Sequence, residues 1–215
     1  MKIFLFGGAE VNRGQVEPLL KLIEEVMLQL KAKQILHIPF ARTESSDIEW
    51  RGDWFNKYIH LKGADYLNAQ NTEDIAKAQS PLIFISGGSN SANLLKKIQS
   101  NPQLVKLIRN AQYIIGESAG GKVLATHFRS TSGQGKSTLR RGLGIIKDTI
   151  IEPHYTERNR QELLEREMKK THSCYGLGID CVTGMELDTD TFPAGYKKIG
   201  NGSAEIKVNP AKASN

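Results

Sequence analysis

Cysteine is scarce in this chain, with two residues in 215, Cys174 and Cys181. Two thiols make neither a disulfide framework nor a zinc quartet, so reduced thiols in a cytoplasmic setting are expected. Long apolar runs are also missing. No stretch reaches the roughly 20 apolar residues of a membrane-spanning helix. The N-terminal run from Lys2 to Phe6 is too short for a secretory leader and has no cleavage site after it. Internal repeats and linker-like stretches are absent, which predicts a single domain over residues 1–208 and a polar tail at 209–215. A concentrated charge of one sign is lacking as well. Twenty-nine Lys and Arg against 23 Asp and Glu give a net charge of +6, but the cations are scattered. That pattern describes a solvated surface better than a nucleic-acid stripe. A hydrophobic content of 39% excludes a disordered chain.

What is present is an alternation of short apolar runs and amphipathic stretches. Residues 2–6, 34–40 and 81–86 are continuous apolar runs, each stopped by Gly or Pro, and they read as buried parallel strands. Between them, residues 16–30 repeat apolar side chains at helical spacing, with Pro18 in the first turn where proline is tolerated. Further helices are predicted near residues 46–61 (Trp50, Trp54 and Tyr58 on one face), 72–78, 92–98 and 104–108, with a short strand at 65–67. Residues 127–141 are polar and rich in Gly, Ser and Thr, and read as a loop or hairpin. Later strands are expected in 143–151, 175–179, 183–187 and 196–208, with a helix from about 158 to 170. The order implies an α/β fold, a doubly wound and mostly parallel sheet flanked by helices. Ligands in such sheets sit beyond the carboxyl ends of the strands.

The chemistry concentrates after the apolar run Tyr113-Ile114-Ile115. There Gly116-Glu117-Ser118-Ala119-Gly120 fits G-x-S-x-G, and a helix-compatible segment follows. Strand, sharp turn and helix are the setting a nucleophilic serine needs, exposed on a strained elbow. The Ala119 amide then lies at a helix start, where free N–H groups can stabilise an oxyanion. A second glycine turn, Gly87-Gly88-Ser89-Asn90, follows the strand at 81–86 and also exposes backbone amides. A serine nucleophile requires a base. Of the five histidines, His37 lies within a strand, His60 and His172 lie on polar stretches, and His127 is a weak candidate. His154 follows a strand and precedes a helix, which makes it the best base. Gly135-Lys136-Ser137 resembles the end of a phosphate-binding loop, but Ser130 stands where the first glycine is required.

Taken together, Gly116-Glu117-Ser118-Ala119-Gly120, Ile85-Ser86-Gly87-Gly88-Ser89-Asn90 and Pro153-His154-Tyr155-Thr156-Glu157-Arg158-Asn159-Arg160 resemble peptidase family S51, over roughly residues 1 to 190. That family holds peptidase E and the cyanophycinases, and its fold is similar to that of the class I glutamine amidotransferases, a flavodoxin-like arrangement. The resemblance implies Ser118 as nucleophile, His154 as base, and the amides of Gly88 and Ala119 as oxyanion-hole donors. It also implies Asn90, Arg158 and Arg160 as substrate-binding residues, a small acidic peptide as substrate, and no metal or cofactor. Two guanidinium groups suit a carboxylate-bearing substrate. The sequence departs from the family at the orienting acid, because Ser132-Gly133-Gln134 stands about where it belongs and 119–147 holds no acidic residue. Glu152 or Asp180 could supply the carboxylate, Gln134 or a carbonyl could support a dyad, or the site could be inactive. The expected function is a serine peptidase cutting beside aspartyl residues, as a monomer or homodimer. The rivals are a non-catalytic binding homologue and, less favoured, an esterase or acyltransferase.

Overall fold

The computed structural model describes residues 1–42, 59–131 and 137–212. The expected helix bearing Trp50, Trp54 and Tyr58, the Ser132-Gly133-Gln134 stretch, Gly135 and Lys136 lie outside these residues. Among the described residues, no helix is long and apolar enough to cross a membrane.

The strands form two sheets where the sequence pattern implied one. The first has seven strands: β1 (Lys2–Phe6), β2 (Gln34–Ile38), β3 (Asp65–Asn68), β4 (Leu82–Ile85), β5 (Tyr113–Glu117), β10 (Thr183–Asp188) and β11 (Lys197–Gly200). They lie in the order β11-β10-β1-β5-β4-β2-β3. The pairs β1–β5, β5–β4, β4–β2 and β2–β3 are parallel, whereas β10 and β11 add to the β1 edge as an antiparallel ribbon. The second sheet has five strands: β6 (Ala125–Thr131), β7 (Ser137–Arg141), β8 (Ile146–Pro153), β9 (Tyr175–Ile179) and β12 (Ala204–Val208). Its order is β12-β9-β8-β6-β7, parallel in the middle and antiparallel at both edges. Within the polar 127–141 segment, β6 and β7 pair antiparallel. Strand β7 is exposed along its whole length, which explains why its sequence carries no apolar run.

The continuous apolar runs follow from burial on both faces. In β1, Ile3 and Leu5 enter one core with Ile83, Ile85, Ile114 and the helices α3 (Ser91–Gln99) and α4 (Pro102–Arg109). Phe4 and Phe6 point the other way, against Leu19, Leu20, Ile23, Val26 and Met27 of α1 (Val16–Gln29). Successive side chains of a strand alternate between faces, so a strand covered on both sides must be apolar at every position. Helix α2 (Thr72–Lys77) covers the β3 edge, and Asn71 caps it by accepting the Glu73 N–H. A smaller core of Ile150, Tyr155, Leu164 and Met168 packs α6 (Gln161–Thr171) on the second sheet.

This topology sets the carboxyl ends of β1, β5 and β4 side by side. The chain leaves β5 through Ser118 into the short helix α5 (Ala119–Leu124) and leaves β4 through Gly87-Gly88. From β1 it leaves through Gly7-Gly8-Ala9-Glu10. The Ser118 N–H donates to the Phe6 carbonyl at 2.8 Å within the first sheet, and the end of β8, in the second sheet, is tied to the same corner by the His154 N–H, which donates to the Gly7 carbonyl at 3.1 Å.

Candidate active site around Ser118

The turn at Ser118 is strained. Its φ of 48° and ψ of −107° lie outside the regions an L-residue prefers, a conformation costing of order 1–3 kcal/mol that persists only where packing enforces it. The glycines of G-x-S-x-G supply that packing. A side-chain carbon on Gly120 would overlap the Ile85 carbonyl, and one on Gly116 would come within 2.8 Å of the Gly121 Cα. Bare glycine at both positions lets α5 press onto β5 and β4. The strain holds Ser118 at the mouth of the corner, and Ala119, the first residue of α5, belongs to the turn whose N–H groups lack intrahelical acceptors.

His154 closes on the serine from the second sheet. Its Nε2 lies 3.3 Å from Ser118 Oγ. The residue is 7% exposed and itself sits at a positive φ of 49°. On the other face of the ring, Nδ1 lies 3.1 Å from Glu10 Oε1 and 3.0 Å from Cys181 Sγ. Burial, reinforced by the Arg158 charge, pushes the imidazole down to about 4, while Glu10 acts in the opposite sense. The ring is therefore neutral near pH 7, the state a base requires. Glu10 in turn accepts a hydrogen bond from Arg158 Nε at 2.6 Å, and that bond, more than any other contact, holds its carboxyl below the usual range. The Cys181 thiol is pushed up to about 12 by burial and by the neighbouring Glu157 and Glu10 carboxylates.

The carboxylate beside His154 is therefore Glu10, in place of Glu152 or Asp180. Glu152 is fully buried and receives Arg129 at 3.1 and 2.9 Å and Arg160 at 3.0 Å. Burial works against its ionisation, but the Arg129 hydrogen bonds and the Lys122 and Arg160 charges outweigh it and keep Glu152 ionised. Asp180 accepts the N–H groups of Thr156 (2.9 Å) and Ser203 (2.7 Å), pinning the loops that flank β9. Sequence reasoning weighed Glu152 and Asp180 as the carboxylate and so passed over Glu10. A usable signal existed, since Gly7-Gly8-Ala9-Glu10 ends an apolar strand just as the two examined turns do.

The remaining expected residues divide. Arg158 stands at the mouth, with a side chain 45% exposed, paired to Glu10. Arg160 is turned inward, donating from Nη1 to Glu152 and to the Pro153 carbonyl at 2.8 Å, so it holds the framework together instead of facing a ligand. The Asn90 side chain caps α3 by accepting the Asn93 N–H at 2.9 Å, so its amide oxygen is spent on the helix. Gly88 packs on the Ala41 carbonyl so tightly that a side-chain carbon there would clash with it. Glu117, a variable position of the motif, has a structural task that the pattern conceals. Its buried carboxyl accepts the Gly87 N–H and so braces the second glycine turn from beneath Ser118. Burial raises its pKa, against the opposing charge of Arg42. His127 lies in β6 with Nδ1 3.4 Å from Ser173 Oγ.

Comparison with known proteins agrees with this architecture. The chain is similar to a cyanophycinase of Trichormus variabilis, with 27% identity over 141 residues covering 60% of this chain and 45% of that protein. A cyanophycinase of Synechococcus elongatus is 28% identical over 161 residues, covering 70% and 48%. The matched region thus spans about half the length of those relatives. Among solved structures, a peptidase from an acI-B1 Actinobacterium superposes with a TM-score of 0.66 at 18% identity, covering 97% of this chain and 91% of that one. A putative peptidase E protein from Listeria monocytogenes gives 0.61 at 15% identity, covering 94% and 98%. These two establish the likeness of fold. The description of peptidase family S51 matches residues 3–192, nearly the whole length, and the chain belongs to that family.

Proposed function

We propose that this chain is a serine peptidase that cleaves small peptides beside an aspartyl residue through an acyl-enzyme on Ser118. The observation that carries the reading is the line Ser118 Oγ, His154 Nε2, His154 Nδ1, Glu10 Oε1, with separations of 3.3 Å at one end and 3.1 Å at the other. The neutral ring with its proton on Nδ1 turns the Nε2 lone pair toward the serine. As Ser118 attacks the peptide carbonyl, its proton passes to Nε2 and the imidazolium forms beside the Glu10 carboxylate, which stabilises it. The oxyanion is met by the Ala119 amide at the start of α5 and by the Gly88 amide. His154 then gives its proton to the leaving amine, and water releases the acid by the reverse sequence. Arg158, half-exposed beside Glu10, is the group to hold the substrate carboxylate, since a guanidinium binds it through two parallel N–H donors. Arg160 is turned to Glu152 and the Pro153 carbonyl, and Asn90 keeps only its amide N–H groups for a ligand, its oxygen capping α3, so Arg158 is the stronger candidate.

The reading of a non-catalytic homologue arose from a missing acid, and Glu10 removes that motive. A fluorophosphonate probe tests the nucleophile: the wild type is expected to label and Ser118→Ala to remain unlabelled. Hydrolysis of Asp-X dipeptides and of β-aspartyl-arginine peptides tests the specificity. Arg158→Ala is expected to raise KM for these substrates more than for their uncharged analogues. Equal labelling of Ser118→Ala, or wild-type protein inert to both probe and peptides alongside an active control peptidase, defeats the proposal.

A further inference from the structure

Two groups at this corner have no part in the proton relay: the Cys181 thiol, and one oxygen of Glu157. Cys181 Sγ and Glu10 Oε1 both approach His154 Nδ1, the ring nitrogen turned away from Ser118. The nitrogen, the sulfur and the carboxylate oxygen all lie within 4.8 Å of one another. They arrive from three separate chain segments, after β1, β8 and β9. Imidazole nitrogen, thiolate sulfur and carboxylate oxygen are the donor types of a tetrahedral zinc centre. Zinc bonds of about 2.3 Å to sulfur and about 2.0–2.2 Å to nitrogen and oxygen imply donor separations of about 3.3–3.6 Å in a tetrahedron. The observed 3.0 and 3.1 Å about Nδ1 need open by only a few tenths of an ångström to reach them. Three protein ligands leave the fourth position for water.

We propose that Glu10, His154 Nδ1 and Cys181 Sγ form a binding site for a borderline-soft divalent cation of the zinc type, whose occupation switches the peptidase off. The second half rests on the function proposed above, and the first half does not. The charges balance: one thiolate and one carboxylate neutralise a divalent ion, and the imidazole binds as a neutral ligand. A second carboxylate stands by, because Glu157 accepts the Cys181 N–H through Oε1 at 2.9 Å. Its Oε2 is buried with no hydrogen-bond partner among the described residues. Coordination removes the thiol proton to solvent, since a bound cation outweighs the surroundings that keep a free thiol protonated. The largest opposing charge is Arg158, whose half-exposed side chain can leave Glu10 for solvent; Arg160 and Lys122 act on His154, and Arg13 on Glu10, more weakly in the same sense.

The consequence for the relay follows from the ring. A cation on Nδ1 takes that lone pair and leaves the ring proton on Nε2, facing Ser118. A protonated Nε2 cannot accept the serine proton, and Glu10 becomes a ligand in place of the imidazolium's counter-charge. Ser118 would lose its base without any movement of the fold.

Cobalt(II) titration of the metal-free full chain tests the site independently of activity. A thiolate-to-cobalt charge-transfer band saturating at one ion per chain is expected, displaced by Zn2+. The band should persist in Cys174→Ser and vanish in Cys181→Ser, and Glu10→Gln should weaken binding by at least about tenfold. Micromolar Zn2+ should suppress wild-type peptide hydrolysis and EDTA restore it, whereas Cys181→Ser should keep most of its own metal-free rate. No band, or a band that survives in Cys181→Ser, overturns the site and leaves the peptidase reading intact. A band in a protein that Zn2+ does not inhibit overturns the switch. A band in a protein that hydrolyses no peptide retains the site and refutes the peptidase together with the switch.

Discussion

Replacing Glu10 by Gln separates a carboxylate that acts on the histidine from one that merely fills space. Gln keeps the length and the hydrogen-bonding shape but removes the charge. In the wild type the carboxylate stands 3.1 Å from Nδ1. At that separation, with an effective dielectric constant of ~20, it attracts the imidazolium by about 5 kcal/mol. The full value is not available to catalysis, because Arg158 draws on the same oxygen at 2.6 Å. Allowing about a third for that sharing leaves roughly 3–4 kcal/mol, a loss of about 10²–10³ in kcat. A second effect has a definite sign. Glu10 holds the His154 pKa up, while Arg158 pushes it down. Without Glu10, Arg158 is left unopposed beside the ring, so the acidic limb of the pH–rate profile moves to lower pH as kcat falls. A residue with a purely structural role would lower stability and leave that limb in place. The assay is the pH profile of kcat and kcat/KM on an aspartyl dipeptide, with denaturant unfolding as the fold control. A well-folded Glu10→Gln protein within about twofold of wild type, or an unmoved limb, would refute the reasoning.

Other outcomes follow from the same geometry. With His154 at about 4, the wild-type acidic limb of kcat/KM is expected well below the ordinary histidine value of ~6.5, and a limb at 6.5 or above contradicts it. The same lowered pKa fixes a stability trend. A histidine held neutral stabilises the fold fully above its unfolded pKa, and that contribution is lost as pH falls from about 6.5 toward 4, read from urea midpoints with His154→Gln for comparison. Gly8→Ala places a methyl 2.9 Å from His154 Nε2 and 3.0 Å from the Ser118 Cβ, at a φ of +93°. It should cut kcat by about 10²-fold through displacement of the reacting groups, with unfolding measured in parallel to show that the chain still folds. Glu152→Gln removes the buried carboxylate shared by Arg129 and Arg160, leaving Glu167 at 3.4 Å from Arg129, and should cost about 3 kcal/mol of stability. Guanidinium unfolding checks that loss, and a stable variant with a selective loss of kcat would return Glu152 to the relay.

Much of this was legible in the sequence because it is local. The strands β1, β4 and β5 announce themselves as apolar runs, since each is covered on both faces. The turn at Ser118 is encoded within five residues, because its strain and the close packing of α5 both depend on Gly116 and Gly120. The position of His154 at a strand end was readable for the same reason. What the sequence left open is what depends on strand order. Glu10 lies far from His154 in the sequence and reaches it only because β1 pairs with β5, and because the end of β8 is tied to Gly7 across the two sheets. Arg158 and Arg160 look alike in the sequence, yet one turn of backbone sends the first to Glu10 at the mouth and the second to Glu152 in the interior. Hydrophobic periodicity and the glycine pattern are properties of neighbours along the chain, and they determined the elements and the serine turn. Which carboxylate faces which cation is a property of neighbours in space, and the tertiary structure alone decided it.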